Sequence, residues 1–324
     1  MINWSRWVFA FAVLCGSTLP LAAQPAFPTQ PVHIVVQSPP GAAGDVVLRK
    51  LSDRLARALG QPIVIENRPG ASGIIAANMV VKAKPDGHTV LYENMNVFCS
   101  NPHLFANLSY DPAKDFAPVM VGPRSSLVMV VGPHMTARTL AEFVSEAKAS
   151  PGKLTIASPS EGSVQHLVAA LLQQTAGISL THVPYSAAPQ IMVDLAAGRI
   201  DAAMTYPSVV AELVNSGRVR AIAVTAARRI PILKQVPTVA EAGLPALEFS
   251  AWSGFAAPAA TPPVVVDSLN RAFASVFQEA EISEWLSSLG SDFTPGSPSE
   301  FAAVMKSDNA RCGQLLKGLG IQPR

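Results

Sequence analysis

Three short loops carry the side chains and amides that can do chemistry. The first, residues 38–45, reads Ser38-Pro39-Pro40-Gly41-Ala42-Ala43-Gly44-Asp45 and leads from an apolar run into an amphipathic one. Its small residues let backbone N–H groups approach a ligand closely. The N-terminus of the following helix favours an anion by ~0.3–1 kcal/mol when exposed, and by more when buried. Asp45 is expected as the N-cap of that helix. The second loop, Arg68-Pro69-Gly70-Ala71-Ser72-Gly73, again runs into a helical pattern. The third, residues 158–166, places Ser158, Ser160 and Ser163 before His166. Its hydroxyls and amides can grip a carboxylate without lysine or arginine.

Each loop taken alone is more often just a strand–helix turn. None matches G-x-G-x-x-G or G-x-x-x-x-G-K-[ST], so nucleotide binding lacks its fingerprint. Ser163 and His166 stand three apart, which invites a hydrolase pairing. There is no G-x-S-x-G elbow and no placed acid partner, so no catalytic residue is expected. His166 is expected to pack at the start of its helix and His33 to be a core histidine within a buried strand. No Cys/His cluster has zinc-like spacing, and neither a metal nor a cofactor is expected. Cys99 and Cys312 either pair in an oxidising compartment or sit apart as buried thiols.

These loops need elements to hold them. Strand patterns fall at 32–36, 63–65, 89–92, 127–131, 154–157, 180–183, 202–204 and 221–225. Helical patterns fall at 45–59, 74–83, 140–149, 164–175, 189–197 and 208–216, with tail helices near 263–278, 282–289 and 298–319. In the first helix Leu48, Leu51, Leu55 and Leu59 share a face, and Gly60 suits the C-terminal cap. Alternating strands and helices imply the α/β class with mainly parallel sheets. Two sheets without a linker imply domains joined by strands that cross twice, which is a hinge with a central cleft. Ligands gather at the carboxyl ends of such strands, where the three loops lie.

The bulk numbers agree with a large globular protein. The chain has 324 residues, 49% of them hydrophobic and 14% charged. A formal net charge of +2 leaves no electrostatic footprint for nucleic acid or anionic lipid. Residues 1–26 have a basic Arg6, a short apolar run from Trp7 to Leu14, and small residues after it. That is the pattern of a secretory signal peptide, removed between Ala23 and Ala26. A lipoprotein reading of Cys15 is disfavoured by Leu14 before it.

Taken together, the segments resemble the Bug-type extracytoplasmic receptors of tripartite tricarboxylate transporters. The matching stretches are PTQPVHIVV, PPGAAGD, ENRPGASG, KPDGHTVL, YDPAKDFAPV, SPGKL, GSVQHL, HVPY, LAAGRID, GRVRAIAVT and VPTVAEAGLP. The resemblance implies a two-domain periplasmic-binding-protein fold of type II, with residues 27–123 plus 249–324 in one domain and 124–248 in the other. It implies a monomeric periplasmic receptor, not an enzyme, that captures a small carboxylate by hinge closure and hands it to membrane permease components. By position, Pro40, Gly41, Ala42 and Asp45 form one side of the site; Ser158, Ser160 and Ser163 form the other, with Tyr185 nearby. The chain departs from the family pattern at Gln37-Ser38, Ala42, Asn94-Met95, Ser186-Ala187 and Thr205. Thr205 stands where an aspartate is usual, which disfavours an amino-acid ligand. Tyr206 beside it either stacks on an aromatic acid or fills space. A periplasmic sensor and, more remotely, an α/β hydrolase are the alternatives.

Overall fold

The computed structural model of the protein describes residues 27–185 and 188–323. The expected leader at 1–26, including Cys15, and the Ser186-Ala187 pair lie outside the described residues. The chain opens with β1 (Val32–Val36), α1 (Ala43–Leu59), β2 (Ile63–Asn67), α2 (Ile74–Val81), β3 (Thr89–Asn94) and α3 (Asn101–Leu104). In α1 the leucine stripe is buried as its spacing predicts. Burying one such side chain contributes about 1.5–3 kcal/mol, enough to select the helix from its local alternatives. Gly60 ends it in the left-handed region at φ 72°, donating its N–H to Ala56 O.

The middle of the chain runs β4 (Phe116–Ser126), β5 (Val128–Val131), α4 (Leu140–Ala149), β6 (Thr155–Ser158), α5 (Val164–Ala176), β7 (Thr181–Pro184), α6 (Ala188–Ala196), β8 (Ala202–Thr205), α7 (Pro207–Asn215) and β9 (Arg220–Val224). It closes with β10 (Ser250–Pro258), α8 (Pro263–Phe277), α9 (Ala280–Ser288), β11 (Ser291–Asp292) and α10 (Pro298–Gly318).

Two sheets result. The first has the order β11-β4-β10-β3-β1-β2, the second β7-β6-β8-β5-β9. The class is α/β as expected, but both sheets are mixed where mainly parallel pairing was expected. In the first, β1 lies parallel to β2 and β3, while β10 runs antiparallel to β3 and β4. In the second, β6 lies parallel to β7 and β8, while β5 runs antiparallel to β8 and β9. The long strands β4 and β10 carry no clean strand signal, because Pro118, Pro123 and Gly254 interrupt them. Pro118 is tolerated because β11 pairs only with Arg124 and Ser125, so β4 is a free edge where Pro118 sits.

The chain passes between the sheets twice, once from β4 into β5 and once from β9 towards β10. Buried Thr225 clamps the two passages together. Its hydroxyl accepts from Leu127 N at 2.8 Å and donates to Phe249 O at 2.6 Å. Backbone bonds from Thr225 N to Leu127 O and from Phe249 N to Thr225 O complete the clamp. Against one face of the first sheet, Leu48, Leu51 and Leu55 of α1 pack with Phe273 and Phe277 of α8. On the other face Phe98, Trp252 and Phe301 stack together, and that core continues into Met129, Phe143, Ile156 and Leu167 around the second sheet. Cys99 and Cys312 are free thiols buried in this shared core.

Candidate ligand-binding cleft

The first loop is built around Asp45. Its carboxylate, 1% exposed, accepts the Gly41 N–H at 2.8 Å, Asn67 Nδ2 at 2.8 Å and Arg49 Nε at 2.9 Å. Arg49 above all, then the Gly41 amide and Asn67, hold its carboxyl down at about 2. Asn67 Nδ2 also donates to Ser38 O at 2.8 Å. Asp45 is not the N-cap that was expected. Ala42 is, without a side-chain bond, and α1 begins two residues earlier than predicted, with Asp45 in its first turn. The carboxylate reaches back to Gly41 and shapes the loop from beneath. Gly41 itself takes φ 83°, a conformation that a side chain would strain. The first-turn amides of α1 are thus left pointing outward without capping side chains.

The third loop is braced from within. Ser158 Oγ gives its proton to Ser160 O at 2.9 Å and therefore accepts from His182 Nε2, 2.7 Å away. The parallel pairing of β6 with β7 brings these two residues together. Ser163 caps α5, accepting from His166 N at 3.3 Å, and donates to Ser160 O at 2.8 Å. The His166 ring does not meet Ser163; its Nδ1 accepts from Gly162 N at 3.0 Å. That ring stacks on His182 with centroids 3.7 Å apart. Burial, then the neighbouring His182, pushes His166 down to about 4. Both rings brace the loop: His166 through the Gly162 amide and His182 through the Ser158 hydroxyl.

The remaining expected residues divide. Tyr185 donates its hydroxyl to Asp194 Oδ2 at 2.8 Å, on α6. Thr205 is buried at the end of β8, paired with Val128. Tyr206 is the N-cap of α7, and burial alone raises its phenol to about 12. Among the described residues that phenol has no hydrogen-bond partner.

A cavity of about 420 Å³ opens where the α1 and α7 N-termini face each other across the crossing strands. The first loop and α1 supply Gly41, Ala43, Gly44 and Val47, and the α7 terminus supplies Tyr206, Pro207 and Ser208. Strand ends contribute Val36, Tyr92, Glu93 and Asn94, and the crossing strands Ser125, Trp252 and Ser253. Trp285 and Leu289 form the α9 side. Of the ten residues expected from sequence, Gly41 and Tyr206 line this cavity. Pro40, Ala42, Asp45, Ser158, Ser160, Ser163, Tyr185 and Thr205 do not. The serines of the third loop spend their hydroxyls on one another and on His182, which is why they brace the loop and do not face the cavity.

Sequence reasoning missed Glu93, Ser253 and Trp285. Glu93 is 2% exposed and accepts Gln37 N at 2.5 Å. Burial pushes its carboxyl up to about 8, although the Gln37 and Asn94 amides oppose the shift. The strand pattern was read to Tyr92, one residue short of it. Ser253 Oγ and Tyr92 Oη are 2.7 Å apart across β10 and β3, a contact set by non-local pairing.

Two mixed α/β sheets joined by paired crossings, with a cavity at the crossing, constitute a periplasmic-binding-protein fold. The chain belongs to the tripartite tricarboxylate transporter receptor family, whose sequence profile matches residues 47–321. It is 36% identical over 316 residues to a protein encoded in the tcbD-tcbE intergenic region of Pseudomonas sp. strain P51, covering 96% of this chain and 93% of that one. R. palustris Rpa4515, solved with adipate, superposes with a TM-score of 0.81 at 33% identity, covering 92% of this chain and 100% of the other. MatC (Rpa3494) from Rhodopseudomonas palustris, solved with bound malate, gives a TM-score of 0.76 at 30% identity, with 90% and 100% coverage. Among the described residues no helix is long and apolar enough to cross a membrane. Nor, among them, is any group of three or more His, Cys, Asp or Glu placed to hold a metal ion.

Proposed function

We propose that this receptor works in the periplasm, closes two lobes around a small carboxylate, and delivers it as a monomer to the membrane permease of its transporter. One lobe comprises residues 27–123 plus 249–324 and the other 124–248, with the Thr225 clamp at the hinge. One observation carries the ligand class: two helix N-termini, of α1 and α7, open on one cavity that, among the described residues, no lysine, arginine or histidine lines. Such termini hold an anion through backbone amides and their positive dipole ends. The unpartnered Tyr206 phenol adds a donor. Adipate and malate in the related R. palustris proteins support the same class.

Within this scheme the uncapped first-turn amides of α1 meet the carboxylate, and Thr205 sets Tyr206 in place. Pro40, Gly41, Ala42 and Asp45 shape the loop before those amides, with the Gly41 and Ala42 N–H groups held by Asp45 and Pro39 O. Ser158, Ser160, Ser163 and Tyr185 build the facing wall, which meets the ligand on closure. No bond is made or broken. Binding shifts a hinge equilibrium toward the closed form that the membrane components recognise.

The test is a thermal-shift and calorimetric screen of the leaderless protein, unfolded and refolded to strip any carried ligand. The panel is adipate, malate, succinate, citrate and benzoate. A ligand at a hundred times its Kd adds about 2.7 kcal/mol of stability. Tyr206→Phe should weaken the best ligand by the worth of one hydrogen bond, about 0.5–1.5 kcal/mol, and leave the ligand-free melting midpoint unchanged. Failure of every acid to stabilise the protein would remove the carboxylate assignment.

A further inference from the structure

Among the described residues that line the cavity Glu93 is the one carboxyl, and none of them is a cation that would offset a charge there. The influences on this group are burial and hydrogen bonds from Gln37 and Asn94; no cation is among them. An ionised Glu93, only 2% exposed, would repel any carboxylate that the α1 and α7 termini attract. A protonated one keeps an O–H to donate.

We propose that Glu93 is a specificity-determining residue: it meets the ligand as an uncharged carboxylic acid and donates a hydrogen bond to it. The cavity then selects carboxylates whose second polar group accepts a hydrogen bond, such as a second carboxylate or a keto oxygen, and disfavours those bearing an ammonium group. This deepens the assignment of the cavity as a carboxylate site and rests on it.

Among the described residues around Glu93, the groups whose titration is displaced move away from its range. On its own strand Tyr92 is raised to about 12 by burial, and Tyr206 of α7 likewise. Tyr110 and Cys99, behind the strand end, are both raised well above their ordinary values, by burial and by the Cys312 sulfur respectively. β1, β10 and α2 bring no charged side chain to this end of the sheet, the His33 imidazole being engaged with Glu66 at 2.6 Å. Across the crossing, His166 and His182 are lowered by burial, and Glu161 acts on His182. From α10, Asp308 accepts Trp252 Nε1 at 2.6 Å, and Arg311 lies over the Phe249 ring.

Calorimetry of the leaderless protein with adipate, malate and 6-aminohexanoate, from pH 6 to pH 9.5, tests the assignment. With the free carboxyl at about 8, a complex that requires the proton weakens on the order of 30-fold between pH 7 and pH 9.5. It also takes up a proton above pH 8, seen as a buffer-dependent binding heat. Glu93→Gln, which keeps a donor and cannot ionise, should bind the diacids with a flat profile. 6-Aminohexanoate should bind the native protein far more weakly than adipate, which has the same chain length. A flat diacid profile in the native protein overturns the inference, and so does an unchanged slope in E93Q. Tight binding of 6-aminohexanoate that strengthens with pH does the same, since it marks an ionised Glu93. If E93Q does not fold, the native profile and the proton uptake decide alone. Absence of binding by any of these probes at every pH sinks the carboxylate site itself, an outcome distinct from binding without pH linkage.

Discussion

Replacing Thr225 by valine removes one hydroxyl from the point where the two passages between the sheets are tied. Valine keeps the shape and the branched β-carbon, so the change is chiefly the loss of two hydrogen bonds. Leu127 N, on a fully buried residue, loses its acceptor at 2.8 Å, and Phe249 O, on a residue 4% exposed, loses its donor at 2.6 Å. A buried polar group left unsatisfied costs about 1–3 kcal/mol, so the pair should cost about 2–4 kcal/mol, allowing for partial relaxation. With about 2.1 cal/mol/K of unfolding entropy per residue, a chain of this length should melt roughly 3–6 °C lower. Thr225→Ser restores the hydroxyl and gives up one methyl, worth about 0.8 kcal/mol. Calorimetric melts of the three proteins measure the effect. Serine should recover most of what valine loses. If valine costs less than about 0.5 kcal/mol, or serine costs as much as valine, the hydroxyl does not clamp the hinge.

Two other perturbations test the loop and the core. Asp45 is held below its unfolded value, so its contribution is present above about pH 4 and is lost as pH falls through about 2. Asp45→Asn should therefore melt below the native protein at pH 7, with the gap closing between pH 4 and pH 2; a constant gap would show that the ionised form is not what matters. At Gly254 an added Cβ would run into Phe301 Cζ, and the Phe301 ring is locked edge-on against Trp252 with centroids 5.3 Å apart. Gly254→Ala should accordingly destabilise by about 1–3 kcal/mol in a urea titration, and no change in midpoint would mean that the aromatic cluster yields more easily than its packing implies.

Local signals carried the elements whose cause is local. The leucine spacing of α1, its Gly60 terminator and the strands 32–36, 89–92 and 202–204 were legible because burial on one face imposes a period on the chain. Each strand or helix so read falls within a few residues of the one observed. β4 and β10 were not legible, because where their pairing runs and where it stops, which decides whether Pro118, Pro123 and Gly254 are tolerated, is set by segments far away in sequence. The strand ends pointed to the first loop and the family resemblance to Tyr206, and Gly41 and Tyr206 both line the cavity. The duties of individual hydroxyls were not. Ser158 looks free until β7 sets His182 beside it, and Tyr185 looks free until α6 presents Asp194. Asp45 carries the residue type of an N-cap, and only the loop's path assigns it to Gly41, Asn67 and Arg49 instead. Glu93 gave no signal at all, since a carboxyl at a strand end is ordinarily a solvated one.

The place of β10 in the first sheet has a temporal meaning. β3 and β4 do not touch as partners; β10 lies between them and bonds to both. Until residues 250–258 arrive, the first sheet exists as a three-stranded piece, β2-β1-β3, and a separate β4. The second sheet draws on residues 128–224 alone and has no such dependence on later chain. It can therefore close on itself while its neighbour is still in two parts, and β10 is the strand that joins those halves. Contacts so distant along the chain form slowly, because loop closure precedes the stabilisation they bring. The first sheet is thus the later of the two to become whole, and the cavity, walled partly by Trp252 and Ser253 of β10, cannot form before that strand docks.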